Sequence, residues 1–108
     1  MSDYNAPVQD MQFILENLCD MDGLRELPVF SETTEDLVEA ILTESARFTR
    51  DVVGPLNQTG DQQGSTLKDG VVTTPDGFKE AYASFVEGGW NGTPFEPEHG
   101  GMGLPWTI

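Results

Sequence analysis

Basic residues are scarce in this chain. Five lysines and arginines face nineteen aspartates and glutamates across 108 residues, for a formal net charge of −14 and a sequence pI near 4.1. A surface of that sign repels nucleic acid and anionic lipid and gains nothing from the phosphates of a nucleotide. Nucleic acid and membrane are therefore not expected as partners, and the acidity itself reads as a solvated surface. Cysteine is nearly absent as well. Cys19 stands alone, which excludes an intrachain disulfide. It lies in "ILENLCDM", where a free thiol behaves as a small core hydrophobe. Long apolar runs are missing, and "MSDYNAPVQD" carries no basic leader. Secretion and membrane insertion are not expected, and a cytoplasmic location is. The sequons at Asn57 and Asn91 read as chance matches in polar loops.

Chemistry-bearing constellations are just as sparse. His99 is the single histidine, and Cys19 is far from it in sequence. A zinc site has no ligand spacing to rest on, and no metal ligand is assigned. Ser31, Ser45, Ser65 and Ser84 lack the elbow motif that marks an activated nucleophile. "GGMG" has neither the preceding strand nor the βαβ context of a dinucleotide loop. These residues yield no catalytic and no cofactor-binding assignment.

Helical periodicity is what the sequence does contain. In "APVQDMQFILENLCDM", residues 6–21, Val8, Met11, Leu15 and Leu18 recur at helical spacing. Asn5 is the expected cap, Pro7 is tolerated in the first turn, and Gly23 marks the end. "RELPVF" reads as an extended connection, because Pro28 disfavours helix at Leu27. A second helix is expected over residues 33–53, capped by Thr33 or Thr34. Leu37, Val38, Ile41, Leu42, Phe48, Val52 and Val53 form its apolar face. Gly54-Pro55 stops or kinks it. Residues 57–70 are polar and glycine-rich and read as a loop. "VVTTPDGF" reads as a short extended piece leading to a third helix. That helix is capped at Thr74, has Pro75 in first position, and turns Phe78, Ala81, Tyr82, Phe85 and Val86 inward before Gly88-Gly89. The expected fold class is all-α: three amphipathic helices with long loops. Trp90, Phe95 and Trp106 fall in non-helical stretches, where a self-contained three-helix domain has little use for them.

Four segments in order carry a family resemblance. They are Tyr4, Ala6, Pro7, Asp10, Met11 and Phe13 near the start; "DLVEAILTESARFTRDVVGPLNQTGDQQG"; "VVTTPDGFKEAYASFVEGGW"; and "PEHGGMGLP". Together they resemble the N-terminal domain of the flavin-dependent acyl-CoA dehydrogenases. The first segment is similar to the N-terminal extension of the family's larger-subunit branch. The resemblance implies an incomplete N-terminal helical domain over residues 1–108, with residues 1–30 as extension helix and linker. It implies a parent enzyme with a central β-domain and a C-terminal helical bundle, which hold FAD. That parent oxidises acyl-CoA to 2,3-enoyl-CoA and is a homo-oligomer. The piece seen here would pack on those domains and wall the acyl pocket, without binding FAD or turning over substrate by itself. Pro55 matches the family's kink after the second helix. Gly100, Gly101, Gly103 and Leu104 match its turn into the next, pocket-lining helix. The rival expectation is a self-sufficient acidic helical interaction module, compact and without a large apolar patch.

Overall fold

A computed structural model describes residues 4–108; residues 1–3 of the expected domain span lie outside the described residues. Five α-helices and one β-hairpin follow in chain order: α1 (Val8–Leu18), α2 (Met21–Arg25), α3 (Glu35–Phe48), α4 (Leu56–Gln63), β1 (Thr66–Lys68), β2 (Val71–Thr73) and α5 (Phe78–Glu87). Short 3₁₀ turns occupy Pro28–Phe30, Trp90–Gly92 and Pro97–His99. The chain is mostly helical, but the hairpin makes all-α an approximation.

The first expected helix is two. Pro7 precedes α1 with no side-chain cap, so Asn5 does not cap it. The break comes at Asp20, whose φ of 51° places it in the left-handed region. Asparagine and aspartate enter that region more readily than other non-glycine residues. The Asp20 carboxylate then accepts from the Gly23 N–H at 3.3 Å and caps α2. Gly23 sits inside α2 rather than ending α1. A Cβ there would run into the Asp20 carboxylate, so its glycine serves the cap. Beyond α2, Leu27 is extended as Pro28 demands, and a 3₁₀ turn follows instead of a continuous extended stretch.

Thr34, one of the two expected caps, accepts from Leu37 N–H at 3.3 Å and starts α3. The helix then changes pitch. Residues Thr49–Val53 form a π turn, and Gly54 N–H donates to Thr49 O at 2.7 Å, five residues back. Pro55 has helical dihedrals (φ −60°, ψ −23°) but no N–H, and α4 begins immediately after it. The segment from residue 57 is therefore helical up to Gln63, against the expected loop. Its polarity hides why it docks. Gly60 leaves the space in which the Phe78 ring lies, since a Cβ would come within 2.8 Å of that ring. Gly77, at φ +83°, does the same for Leu56, and Gln63 holds Asp76 by its amide in both directions, at 2.8 and 3.1 Å.

The rest of the expected loop is a hairpin, antiparallel with Leu67 opposite Val72 and Lys68 opposite Val71. Asp69 and Gly70 both have positive φ (51° and 76°), the pair that a two-residue type I′ turn requires. The third helix begins at Phe78, after left-handed Gly77, so Thr74 and Pro75 lie outside it. It ends at Gly88-Gly89 as expected, with Gly89 left-handed.

Leu15, Met21 and Val38 form the buried cluster, with Cys19, Leu24, Leu42 and Ile108 packed around it. Arg25 ties this corner together. It pairs with Glu16 through both terminal nitrogens (2.7 and 2.6 Å), and its Nε donates to the carbonyl of Thr33 at 2.7 Å. Most other apolar helix faces stay open. Phe13, Leu18 and Tyr82 are 64%, 74% and 67% exposed. The radius of gyration is 17.0 Å, against about 13 Å for a compact domain of this length.

Candidate functional site

The helices expected to face inward instead wall a groove. The end of α3 contributes Phe48 and the π turn Val53, α4 adds Leu56 and Gly60, and α5 closes it with Phe78 and Phe85. Phe48 ends α3 and Val53 ends the π turn, and both line this wall. The groove holds about 680 Å³ and is open to solvent. Ala81 and Tyr82 line it as well, so four of the five α5 residues expected to point inward do face this space, and Val86 does not. Phe48 and Phe85 meet in a tilted arrangement at 6.2 Å between ring centroids, with Trp90 also tilted against Phe48 at 6.4 Å. Asp61 is the one charged lining residue, and it has no ion-pair partner among the described residues. Chemically the groove suits apolar side chains or an alkyl chain far better than a polar small molecule.

Pro55 does not line the groove; it joins the π turn to α4. The glycine turn is elsewhere, in a loop that closes on itself. Met102 N–H donates to Gly92 O at 3.0 Å, Gly103 to Phe95 O at 2.8 Å, and Leu104 to Thr93 O at 3.0 Å. Gly101 N–H donates to Glu96 O and Gly100 N–H to Pro97 O. Gly100 and Gly103 have positive φ (84° and 69°), and a Cβ on Gly101 would strike the Phe95 carbonyl. Leu104 is buried, and Phe95 meets Trp106 edge-on at 5.8 Å. Two of the three aromatics that looked idle in sequence, Phe95 and Trp106, are thus the clasp of this loop.

That geometry bears on cofactor chemistry. A phosphate cradle needs free backbone N–H groups, and here every one from His99 to Leu104 is already donated to a carbonyl within the loop. No basic side chain lines the groove, so the residues present do not fit the diphosphate of a dinucleotide such as FAD. Near the same turn His99 Nε2 lies 3.4 Å from Glu98 and 4.0 Å from Glu96, all three exposed. Exposed acids beside a histidine at a loop tip are common, and nothing buried supports a metal there.

The electrostatics elsewhere are local. The Arg25 hydrogen bonds hold the Glu16 carboxyl below the usual glutamate range, against the opposing effect of its partial burial. Glu16 in turn raises the Arg25 guanidinium. Arg47 pairs with Glu44 and Arg50 with Asp51 on the exposed side of the helix. Sequence reasoning missed the groove-forming role of α4 and the π turn. The signal available for α4 was Gly60 spaced with Leu56, too thin to outweigh its polar neighbours. No helix among the described residues is long and apolar enough to cross a membrane.

Two comparisons with known proteins bear on this arrangement. No family model matches the chain. Over 105 residues, 97% of its length, it is 41% identical to 3-methylmercaptopropionyl-CoA dehydrogenase from Ruegeria pomeroyi. The chain spans 18% of that enzyme's length. The resemblance seen in the motifs therefore runs through nearly the whole chain.

Proposed function

We propose that this chain is the N-terminal helical portion of an FAD-dependent acyl-CoA dehydrogenase whose parent oxidises an acyl-CoA to the 2,3-enoyl-CoA. Residues 1–30 are its extension helix and linker, and the remainder packs on the other domains and walls the acyl pocket. The observation that carries this reading is 41% identity along 97% of the chain to an enzyme more than five times as long, one whose name gives an acyl-CoA as substrate. The form of the chain supports it. An apolar groove with aromatic walls stands open, as expected of a surface meant for covering. The rival module, compact and without such a patch, is disfavoured by the 17.0 Å radius of gyration. FAD in this reading is held by residues outside the chain, since neither the glycine loop nor the groove offers a diphosphate site. Pro55 serves as the kink between the π turn and α4, and Gly100, Gly101, Gly103 and Leu104 orient the chain toward a pocket-lining helix. The parent is a homo-oligomer acting in the cytoplasm.

A chimera tests this. The matched segment of the Ruegeria enzyme is replaced by the present chain, and flavin content and acyl-CoA oxidation are measured. A flavin-loaded, active chimera is expected. A soluble chimera that lacks flavin while the parent enzyme retains it overturns the reading, as does stoichiometric flavin in the isolated chain.

A further inference from the structure

We propose that Asn91 is a spontaneous deamidation site, which the closed glycine loop suppresses and whose isoaspartyl product holds that loop open. The inference is independent of the functional reading above. The asparagines of the chain are Asn5, Asn17, Asn57 and Asn91, and all of them are exposed. Exposure therefore singles none of them out; the residue that follows does. Ala6, Leu18 and Gln58 follow the first three, and Gly92 follows the last. With no Cβ on residue 92, its backbone nitrogen can approach the side-chain carbonyl carbon of Asn91. That nitrogen bonds to Asn91 Cγ, the Cγ–Nδ2 bond breaks, and the Gly92 amide proton leaves with Nδ2 as ammonia. Water then opens the cyclic imide. Breaking the new N–Cγ bond leaves aspartate. Breaking the original peptide bond to Gly92 leaves isoaspartate, with the main chain rerouted through Cβ and Cγ. Nothing is oxidised or reduced, and water is the co-reactant.

The fold restrains the first step. Asn91 lies within the 3₁₀ turn Trp90–Gly92, whose backbone geometry holds the next nitrogen out of the plane that the imide ring requires. The attacking nitrogen is also a committed donor, its N–H directed to Gly89 O at 3.0 Å. Gly92 O in turn accepts from Phe95 N–H at 3.2 Å and from Met102 N–H at 3.0 Å. Attack therefore waits for local opening of the loop. Aspartate leaves the main chain unchanged and lets the loop close again. Isoaspartate does not, because its extra main-chain carbon displaces Gly92 from all of these partners at once.

The test incubates the full chain in native buffer and in urea and follows each asparagine by peptide mass mapping. Asp22, Asp69 and Asp76 also precede glycine, but their isomerisation leaves mass unchanged, so a mass gain reads asparagine alone. In urea Asn91 is expected to outpace Asn57 at least about tenfold. The native loop should slow Asn91 at least about tenfold. Gly92→Ala places its methyl 3.6 Å from the nearest atom, so it should fold, and it should slow the urea reaction at least about tenfold. Gly101→Ala strikes the Phe95 carbonyl. It should speed the native reaction by the factor by which it speeds hydrogen exchange at Met102, up to the urea rate. Aged native chain should show two exchange populations at Met102, the fast one isoaspartyl, whereas fresh Asn91→Asp should show the slow one alone. Equal native and urea rates, a Gly92→Ala rate matching wild type in urea, or isoaspartyl chains that exchange as slowly as unmodified ones would each overturn the proposal.

Discussion

Replacing Gly101 by alanine should open the loop from Gly92 to Leu104. A Cβ at that position collides with the carbonyl group of Phe95 and lies 2.8 Å from its Cβ. The obstacle is backbone, so no side-chain rotation relieves it. Phe95 O also accepts the Gly103 N–H at 2.8 Å, and any shift that clears the new methyl lengthens that bond. Overpacking of this kind costs about 1–3 kcal/mol and a lost hydrogen bond about 0.5–1.5 kcal/mol. A total of roughly 2–4 kcal/mol follows. Hydrogen exchange at Met102, Gly103 and Leu104 should then accelerate on the order of 30- to 700-fold, with a lower urea midpoint by tryptophan fluorescence. Two neighbours serve as controls. At Gly100 a Cβ meets open space but φ is +84°, so alanine there costs only the left-handed strain of about 1–2 kcal/mol. At Gly92 the nearest atom is 3.6 Å away, and alanine should stay within about 0.5 kcal/mol of wild type. Gly101→Ala proving as mild as Gly92→Ala would refute the argument.

Met21 is fully buried; Met21→Ala should cost about 2–5 kcal/mol in urea unfolding, and Met21→Leu under about 1.5 kcal/mol. Gly77→Ala faces both a φ of +83° and Leu56 Cδ2 at 2.7 Å. It should lower the thermal midpoint, and Gly77→Asn should recover part of the loss because asparagine tolerates the left-handed region. The Glu16 carboxyl is held low by Arg25. Its share of stability is therefore present above the ordinary glutamate range and lost as pH falls through the depressed value. Glu16→Gln should flatten that acid limb in a pH series of denaturation midpoints. With side chains 16–18% exposed, the pair should be worth more than the ~1 kcal/mol ceiling of a surface bridge and less than the ~3 kcal/mol where buried ones begin.

Periodicity made the major helices legible. Val38 and Leu15 both fall on expected stripes and both are buried, and Thr34 caps where a threonine was expected. Boundaries failed where a local geometry outranked the pattern. Asp20 ended α1 by entering the left-handed region, an outcome that Gly23 seemed better suited to provide. In residues 57–70 the scarcity of apolar residues concealed α4, because its docking depends on two glycines giving room to Phe78 and Leu56. The Asp69-Gly70 pair was a readable hairpin signal, masked by Leu67 being the only apolar residue in residues 57–70. For the groove, composition told which residues were greasy but not that α5 would present them to solvent. A helical stripe specifies that a face must be covered, never by what. The loop clasp of Phe95 and Trp106 was illegible for a similar reason, since it depends on carbonyl directions that no side-chain pattern encodes.

The thread between Met21 and the last residues has a consequence for biosynthesis. Thr107 Oγ1 reaches the Met21 sulfur at 3.6 Å, across 86 positions of chain, and Ile108 covers the same cluster. The opening helices leave the ribosome first, yet their lid is synthesised long afterwards. Until then Leu15, Met21 and Val38 form an unroofed nucleus, so released chains ending short of residue 107 should be cut by protease near α2, and those reaching Ile108 spared.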